Sequence, residues 1–224
     1  MNILAMDSSD QVLSVALATG SDAWYAEVDA GQRHSELLME CADGLCRMAG
    51  IKPHDLNLAA CMKGPGSFTG LRIAYSSAKG LALALGIPLV SVPTLDCLAY
   101  HLPIWPGIVL PAIDAKKSRF FAALYREGKR LTDYMDASAE TLANEIAKFR
   151  LSPQEPIALT GSGAALLFPR LAPIPLECSI DPEFRRGRAK ELLKISKSIM
   201  LDKPDDINSG PLYIRKSDAE LNWS

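Results

Sequence analysis

Several residue patterns that point directly to a chemistry are missing from this sequence. It has only three histidines and five cysteines, and it contains neither a Cys-x-x-Cys pair nor a Gly-x-Ser-x-Gly element. No cysteine has a neighbouring histidine, so the local signatures of nucleophilic catalysis are absent. The odd cysteine count and the apolar stretches around several cysteines indicate free, buried thiols in a reduced, cytosolic protein.

Excess charge and long hydrophobic runs are missing as well. The 24 Lys and Arg residues against 26 Asp and Glu residues give a formal charge of −2. This balance argues against a nucleic-acid binder that acts through bulk positive charge. No apolar run reaches about 18 residues and no basic segment precedes the apolar start, so we expect neither a membrane span nor a signal peptide. The sequence therefore predicts a cytoplasmic protein without membrane contact.

One local basic run is a candidate interaction surface. Its residues are Arg185, Arg186, Arg188, Lys190, Lys194 and Lys197. Because mixed charge is common on helix surfaces, a solvated helix face is the simpler interpretation, and a basic patch is the alternative.

The order of predicted elements indicates an α/β protein with two lobes. The first lobe follows the pattern βββαβαβ, with helices predicted at 35–48 and 69–85. A Pro-rich stretch at 103–107 marks a domain boundary. We therefore predict a first lobe at 1–102 and a smaller second lobe at 103–224, whose last segment packs back on the first lobe.

A weak internal repeat indicates which α/β fold class the chain adopts. A strand-turn-strand unit with an aspartate at the turn occurs twice, at Asp7 and at Asp114, and helices and further strands follow each time. This arrangement is typical of the actin-like, sugar-kinase and heat-shock ATPase (ASKHA) superfamily. The predicted fold is an actin-like duplicated α/β fold with two related lobes, each a mixed sheet flanked by helices.

The segment Gly64-Pro65-Gly66-Ser67-Phe68-Thr69-Gly70-Leu71-Arg72 joins a strand to a helix and is the most informative motif. Glycines at a helix start let backbone amides point outward, where the helix dipole favours an anion. Ser67 or Thr69 is the expected N-cap. A P-loop is excluded because no Gly-Lys-Ser/Thr follows at the required spacing. Two interpretations stay open: a capped turn that serves geometry alone, and an anion-binding turn formed by Gly64, Gly66, Ser67 and Thr69.

Small residues recur at every fourth position of the second predicted helix. Such a stripe lets another element approach closely, either the protein's own sheet or a partner chain. The first predicted helix is apolar over most of its circumference, which indicates that it is covered on both sides. We therefore predict that both helices form a partner-binding surface with Leu38, Cys41, Leu45, Gly70, Ala74, Ala78 and Ala82.

No catalytic, cofactor or metal site is predicted. His34 would need a second ligand three or four residues later, where Leu37 and Leu38 stand, so it is interpreted as a helix-start residue. Turn aspartates such as Asp7 and Asp114 hold Mg²⁺ or activate water in nucleotide-hydrolysing proteins. However, the turn after Asp7 lacks glycine, and Gly161-Ser162-Gly163 alone is a weak signal for an adenosine site.

Four segments together resemble the TsaB (YeaZ-like) family, once called glycoprotease-like. They are Ile3–Ser9, His34–Leu38, Gly64–Arg72 and Lys79–Ala82, and the Gly64–Arg72 stretch is highly specific for that family. Asp114-Ala115 and Pro211–Arg215 resemble its later landmarks, whereas 126–156 shows only the general pattern.

The resemblance implies an actin-like fold and a role in forming N6-threonylcarbamoyladenosine beside the anticodon of ANN-decoding tRNAs. It implies a non-catalytic subunit that binds and activates the paralogue TsaD, is joined by the ATPase TsaE, dimerises when alone, and meets tRNA only indirectly or weakly. In TsaD two histidines four apart on a helix bind metal, and here Leu38 stands at the second position. Two alternatives stay open: an active ATPase or small-molecule kinase of the same fold, and a metallopeptidase, which the missing ligands disfavour.

Overall fold

The computed structural model describes residues 1–171, 177–199, 204–206 and 208–215. The chain divides into two compact units, the first made of Met1–Cys97 and Arg186–Pro211, the second of Leu98–Arg185 and Leu212–Ser224. The boundary therefore falls between 97 and 98, not between 102 and 103 as expected from the Pro-rich stretch. Residues 186–211 group with the first unit.

The first unit is built on a five-stranded mixed sheet in the order β3-β2-β1-β4-β5. The strands β1 to β3 are antiparallel, whereas β4 is parallel to β1, and β5 is parallel to β4. The parallel strands are nearly continuous runs of buried residues, as expected for strands covered on both faces. The bounds are β1 (Asn2–Asp7), β2 (Val12–Thr19), β3 (Asp22–Asp29), β4 (Leu58–Gly64) and β5 (Leu89–Pro93).

Two helices, α1 (His34–Met48) and α2 (Phe68–Leu85), cover one face of this sheet. Successive side chains of a strand point to opposite faces, so Leu4 and Met6 of β1 pack in one cluster with buried residues of α1 and α2. A short 3₁₀ turn (Pro53–Asp55) follows α1, and the helix α3 (Thr94–Tyr100) follows β5.

The second unit contains a seven-stranded mixed sheet with the path β10-β7-β6-β11-β12, while β8 pairs with β6 and β9. The pairs of β11 with β6 and with β12 are parallel, and the others are antiparallel. The helices α4 (Ala139–Phe149) and α5 (Ala164–Leu171) share one core cluster with alternate residues of β6. The strands are β6 (Ile108–Asp114), β7 (Arg119–Ala122), β8 (Tyr125–Arg126), β9 (Lys129–Arg130), β10 (Met135–Ser138), β11 (Ile157–Thr160) and β12 (Cys178–Ile180).

The helix α6 (Ala189–Ile199) covers the second face of the first sheet. Its residues Leu192 and Leu193 pack with Ile3 and Ala5, the β1 side chains that point away from α1 and α2. The central strands β1 and β4 are thereby buried on both faces. Among the described helices, none is both long and apolar enough to cross a membrane. From the sequence, a helix is also expected at 188–201. Its described part corresponds to α6, and positions 200 and 201 lie outside the described residues.

Candidate functional site

The glycine-rich segment fixes the start of α2 against the turn that follows β1. The Ser67 N–H donates to the Ser9 carbonyl at 2.7 Å, and the Ser8 hydroxyl donates to the Gly70 carbonyl at 2.7 Å. A Cβ atom on Gly70 would lie 1.9 Å from the Ser8 carbonyl oxygen, and one on Gly66 would lie 2.5 Å from that of Ser9. Both positions therefore require glycine, because only a residue without a side chain allows the two backbones to approach so closely.

Ser67 is the N-cap of α2. Its hydroxyl accepts a hydrogen bond from the Gly70 N–H at 3.2 Å, so one otherwise unpaired amide of the first helical turn is satisfied. Thr69 lies two residues further on and is exposed. Of the two predicted caps, the structure selects Ser67. The amides of Ser67 and Gly70 are both engaged within the protein, which supports a geometric role, and anion binding at Gly64, Gly66, Ser67 and Thr69 stays a prediction.

Asp7 lies at the end of β1 and is buried, and both of its carboxylate oxygens are engaged. Oδ1 accepts from the Ser9 N–H at 3.0 Å and from the Ser9 hydroxyl at 2.6 Å, and Oδ2 accepts from the Arg188 N–H at 2.9 Å. Burial raises the pKa of Asp7, and these hydrogen bonds lower it by a smaller amount. The carboxylate therefore holds the start of α6 on β1. In the described part of the chain, no group of three or more metal-ligating side chains is found.

His34 is the first residue of α1, as predicted. Its Nε2 lies 2.8 Å from the carbonyl oxygen of Asp10, which can only accept, so Nε2 carries the proton in this bond. The histidine thereby ties the start of α1 to the turn after β1. Leu38, one helical turn later, is buried in the core.

The predicted partner-binding residues lie mostly inside the core of the first unit. Ala74 and Ala78 have no exposed surface, Ala82 is 3% exposed, and Leu38 and Leu45 pack in the same cluster. Gly70 is buried against Ser8, and only Cys41 is half-buried. The prediction that this stripe forms an exposed surface is wrong. The small side chains instead let α2 lie close to its own sheet.

The outward side of α1 and α2 carries several exposed apolar side chains, set among exposed charged residues of α1 such as Glu40 and Asp43. Met39 and Phe68 are 41% and 42% exposed, and Leu83 and Met48 are 63% and 65% exposed. The guanidinium of Arg72 stacks on the Phe68 ring, 3.7 Å from its centroid. An open groove of about 490 Å³ lies on this face, lined by Ser35, Phe68, Thr69, Arg72, Ile73, Ser76 and Ser77. We call the side chains Met39, Phe68, Arg72, Ile73 and Leu83 the outer helix face. The sequence pattern identified the two helices but assigned the wrong side of α2.

In the second unit, the turn between β6 and β7 has an unusual backbone. Lys116, Lys117 and Ser118 have φ values of 60°, 53° and 60°, so three consecutive residues other than glycine are left-handed. Each such residue costs about 1 kcal/mol or more. Lys116 donates to Asp114 through its N–H and its Nζ, both at 2.8 Å. Burial raises the pKa of Asp114, but these hydrogen bonds and the nearby charge of Arg170 outweigh burial, so the pKa is lowered.

Three arginines surround this turn. Arg119 Nε and Arg215 Nε each donate to Asp136 at 2.7 Å, and Arg215 also donates to the Ala115 carbonyl at 2.9 Å. Arg170 Nη1 lies 3.4 Å from the Ser118 carbonyl oxygen. Composition could not reveal this cluster of arginines and Asp136, because its residues come from four separated segments of a chain with a net negative charge.

The Gly161-Ser162-Gly163 segment connects β11 to α5. The Gly163 N–H donates to the Ala112 carbonyl at 2.8 Å, and a Cβ atom on Gly161 would lie 2.7 Å from the same oxygen. These glycines allow the turn to pack on β6. Asp181 is buried beside it and accepts from the Thr160 hydroxyl at 2.8 Å and from the Glu183 N–H at 2.9 Å. Close packing accounts for the motif.

Comparison with known proteins identifies relatives over most of the chain. The family model described as TsaD, tRNA N6-adenosine threonylcarbamoyltransferase, matches residues 28–174. The tRNA threonylcarbamoyladenosine biosynthesis protein TsaB of Bacillus subtilis is 29% identical over 168 residues, 74% of this chain and 73% of that protein. The TsaB protein of Escherichia coli is 31% identical over 154 residues, 67% of this chain and 66% of that protein.

Solved structures show the same fold. YeaZ from Pseudomonas aeruginosa superimposes with a TM-score of 0.78 at 24% identity, covering 95% of this chain and 99% of that one. A second Pseudomonas aeruginosa structure, an uncharacterized protein with similarity to peptidase YEAZ, gives a TM-score of 0.79 at 23% identity over 96% and 99% of the two chains. The predicted α/β architecture, with a mixed sheet and flanking helices in each lobe, is confirmed.

Proposed function

Because the chain belongs to the tRNA N6-adenosine threonylcarbamoyltransferase family, on its TsaB (YeaZ) branch, we propose that it is the non-catalytic subunit of tRNA threonylcarbamoyladenosine biosynthesis. The observation that carries this role is the engagement of Asp7 by Ser9 and Arg188. In an active ATPase of this fold the carboxylate would have to face a metal ion or a water molecule. Here it stabilises the docking of α6, which disfavours an ATPase or kinase.

The proposed partner is the catalytic paralogue, TsaD. Exposed apolar patches mark protein interaction sites, and Met, Phe and Arg are enriched in the centres of such interfaces. The outer helix face combines these residue types on two adjacent helices, with Arg72 held over Phe68. Two helices from each chain would pack as a four-helix layer that buries at least about 1,000 Å² in total.

Further partners follow from the family resemblance. In the absence of the paralogue, the same face could pair with itself as a two-fold dimer. The ATPase TsaE would join the assembly, and the tRNA substrate places the work of the complex in the cytoplasm. The proposal assigns the threonylcarbamoyl transfer itself to the paralogue.

The test compares two variants that each place one acidic residue on an exposed apolar position. Phe68→Glu changes the outer helix face, and Ile104→Glu changes a side chain of the second unit that is 94% exposed. We expect Phe68→Glu to remain folded, to lose binding to the TsaD-type enzyme of the same organism, and to abolish tRNA modification by the reconstituted mixture. The Ile104→Glu control should retain both.

Three results would contradict the proposal. The chain alone could modify tRNA at the rate of the full mixture. The wild-type chain could fail to bind the TsaD-type enzyme. Phe68→Glu could bind that enzyme with unchanged affinity, which would remove the outer helix face from the interface.

A further inference from the structure

The turn between β6 and β7 concentrates positive charge in a chain whose net charge is −2. Five cationic side chains belong to this turn or lie beside it, with the two carboxylates Asp114 and Asp136 among them. A local excess of cations on an acidic protein is a footprint of polyanion binding. We call Lys116, Lys117, Arg119, Arg170 and Arg215 the basic turn surface.

The arginines of this surface are held in place by the protein. Asp136 bridges Arg119 and Arg215 through its two carboxylate oxygens, and Arg215 is anchored a second time on the Ala115 carbonyl. Arg170 lies over the Phe120 ring at 5.5 Å and close to the Ser118 carbonyl. A cation that is already positioned loses less side-chain entropy when it binds a phosphate.

The backbone displays the two lysines outward. Lys116, Lys117 and Ser118 are all exposed, and the Lys116 side chain retains 82% of its accessible surface. Their left-handed conformations are unfavourable for these residue types. Strain of this kind persists mainly where the surroundings enforce it, and it clusters at binding sites.

From these observations, we propose that the basic turn surface binds the sugar–phosphate backbone of RNA. The inference rests on the proposed function, since tRNA is the polyanion that such a subunit meets, and it makes the contact with tRNA direct. Arginine and lysine bound to phosphate oxygens position a protein on a nucleic acid without reading its sequence. The surface would therefore orient the tRNA while the paralogue carries out the reaction.

The lysines of α6 differ from this surface. Lys190, Lys194 and Lys197 are exposed along one helix face, and Lys190 lies 5.7 Å from the Tyr25 ring centroid. Nearby Arg186 forms a salt bridge with Glu27 at 3.1 Å. Within the described residues, no position along this face has the left-handed backbone of the turn. These lysines therefore offer a matched control with the same charge change.

The experiment measures the binding of a fluorescently labelled tRNA transcript to the full-length chain at several salt concentrations. The test variant is Lys117→Glu/Arg170→Glu, and the control variant is Lys190→Glu/Lys194→Glu. We expect the test variant to bind about ten-fold or more weakly, with the salt slope reduced by roughly one for each lost phosphate contact. The control should retain the affinity and the slope of the wild type.

A neutral pair, Lys117→Gln/Arg170→Gln, keeps the result interpretable if the acidic variant unfolds. If the melting curve of this neutral variant matches that of the wild type, the variant should also bind tRNA more weakly and with a smaller salt slope. Unchanged affinity in the folded variants would overturn the proposal, as would equal losses in the test and control variants. A chain that shows no tRNA binding would overturn it too.

A loss of protein binding, without a loss of tRNA binding, would show that the basic turn surface contacts a protein partner. If Lys117→Glu/Arg170→Glu binds tRNA normally but no longer binds the TsaD-type enzyme, the RNA proposal is wrong, whereas the subunit role stands. A separate result would contradict the proposed function: a wild-type chain that does not bind the TsaD-type enzyme.

Discussion

The carboxylate of Asp7 accepts a hydrogen bond from the backbone N–H of Arg188 at 2.9 Å, although the two residues are 181 positions apart. The next amide, that of Ala189, donates to the Ser14 hydroxyl at 3.0 Å. Side chains of β1 and β2 thus satisfy two of the unpaired amides at the start of α6, where the helix dipole favours a negative charge. The end of the first strand thereby fixes the last described helix.

We expect the contribution of Asp7 to the free energy of unfolding to fall as the pH rises above its ordinary pKa of 3.8. Burial raises the pKa of Asp7 in the folded state, so between the unfolded and folded pKa values the folded protein binds more protons than the unfolded chain, and raising the pH favours unfolding. Urea unfolding at a series of pH values from 4 upward measures this trend.

Asp7→Asn provides the comparison. The substitution removes the titrating group, so this part of the pH dependence should disappear. An asparagine amide accepts hydrogen bonds only through its oxygen, so it cannot replace both carboxylate oxygens facing Ser9 and Arg188. We expect the lost hydrogen bond to cost about 1–3 kcal/mol. An Asn variant with the same pH dependence as the wild type would show that Asp7 does not titrate with folding.

Removal of the α2 cap should destabilise the first unit. Ser67→Ala leaves the Gly70 amide without its hydroxyl acceptor, and we expect a loss of about 1 kcal/mol in the free energy of unfolding. Thr69→Ala, two residues later at an exposed position, should change it by less than about 0.5 kcal/mol. Chemical denaturation of both variants measures the difference, and equal losses would show that Ser67 is not the cap.

The two sides of α2 should respond differently to the same side chain. Ala78→Arg places a charge where no surface is exposed, and an unpaired buried charge costs at least about 3 kcal/mol. Gly80→Arg lies on an open side where an added Cβ meets nothing within 4 Å, so this protein should fold. Melting curves test both, and a stable Ala78→Arg protein would contradict the observed packing.

The strained turn in the second unit offers a stabilising substitution. Ser118→Gly should raise the free energy of unfolding by about 1 kcal/mol, because glycine adopts a φ of 60° without steric cost. Gly128→Ser, at a φ of 71° in open space between β8 and β9, should lower it by a similar amount. Opposite shifts in the melting temperature support the strain, and a destabilised Ser118→Gly protein would contradict it.

The helices α1 and α2 could be predicted from the sequence because their signals are local, whereas the short helices α3 and α5 were not predicted. The helix α1 was expected at 35–48 and α2 at 69–85, and each begins one residue earlier. Apolar periodicity, the Ser67 cap and Gly86 after the last turn act within a few residues of each boundary. The two-residue strands β8 and β9 were not predicted, because so short a segment carries no period.

The sequence by itself determined the family, the fold class and the helices that form the candidate partner surface, since these rest on motifs and periods within short segments. Only the tertiary structure decided which side of α2 faces outward, because a stripe of small residues fits the protein's own sheet as well as a partner. It likewise decided that Arg188, part of a run interpreted as a solvated basic face, is 3% exposed. It also decided that three distant segments bring their cations to one turn. Charges far apart in the chain become neighbours only when the sheets form, so no local pattern encodes them.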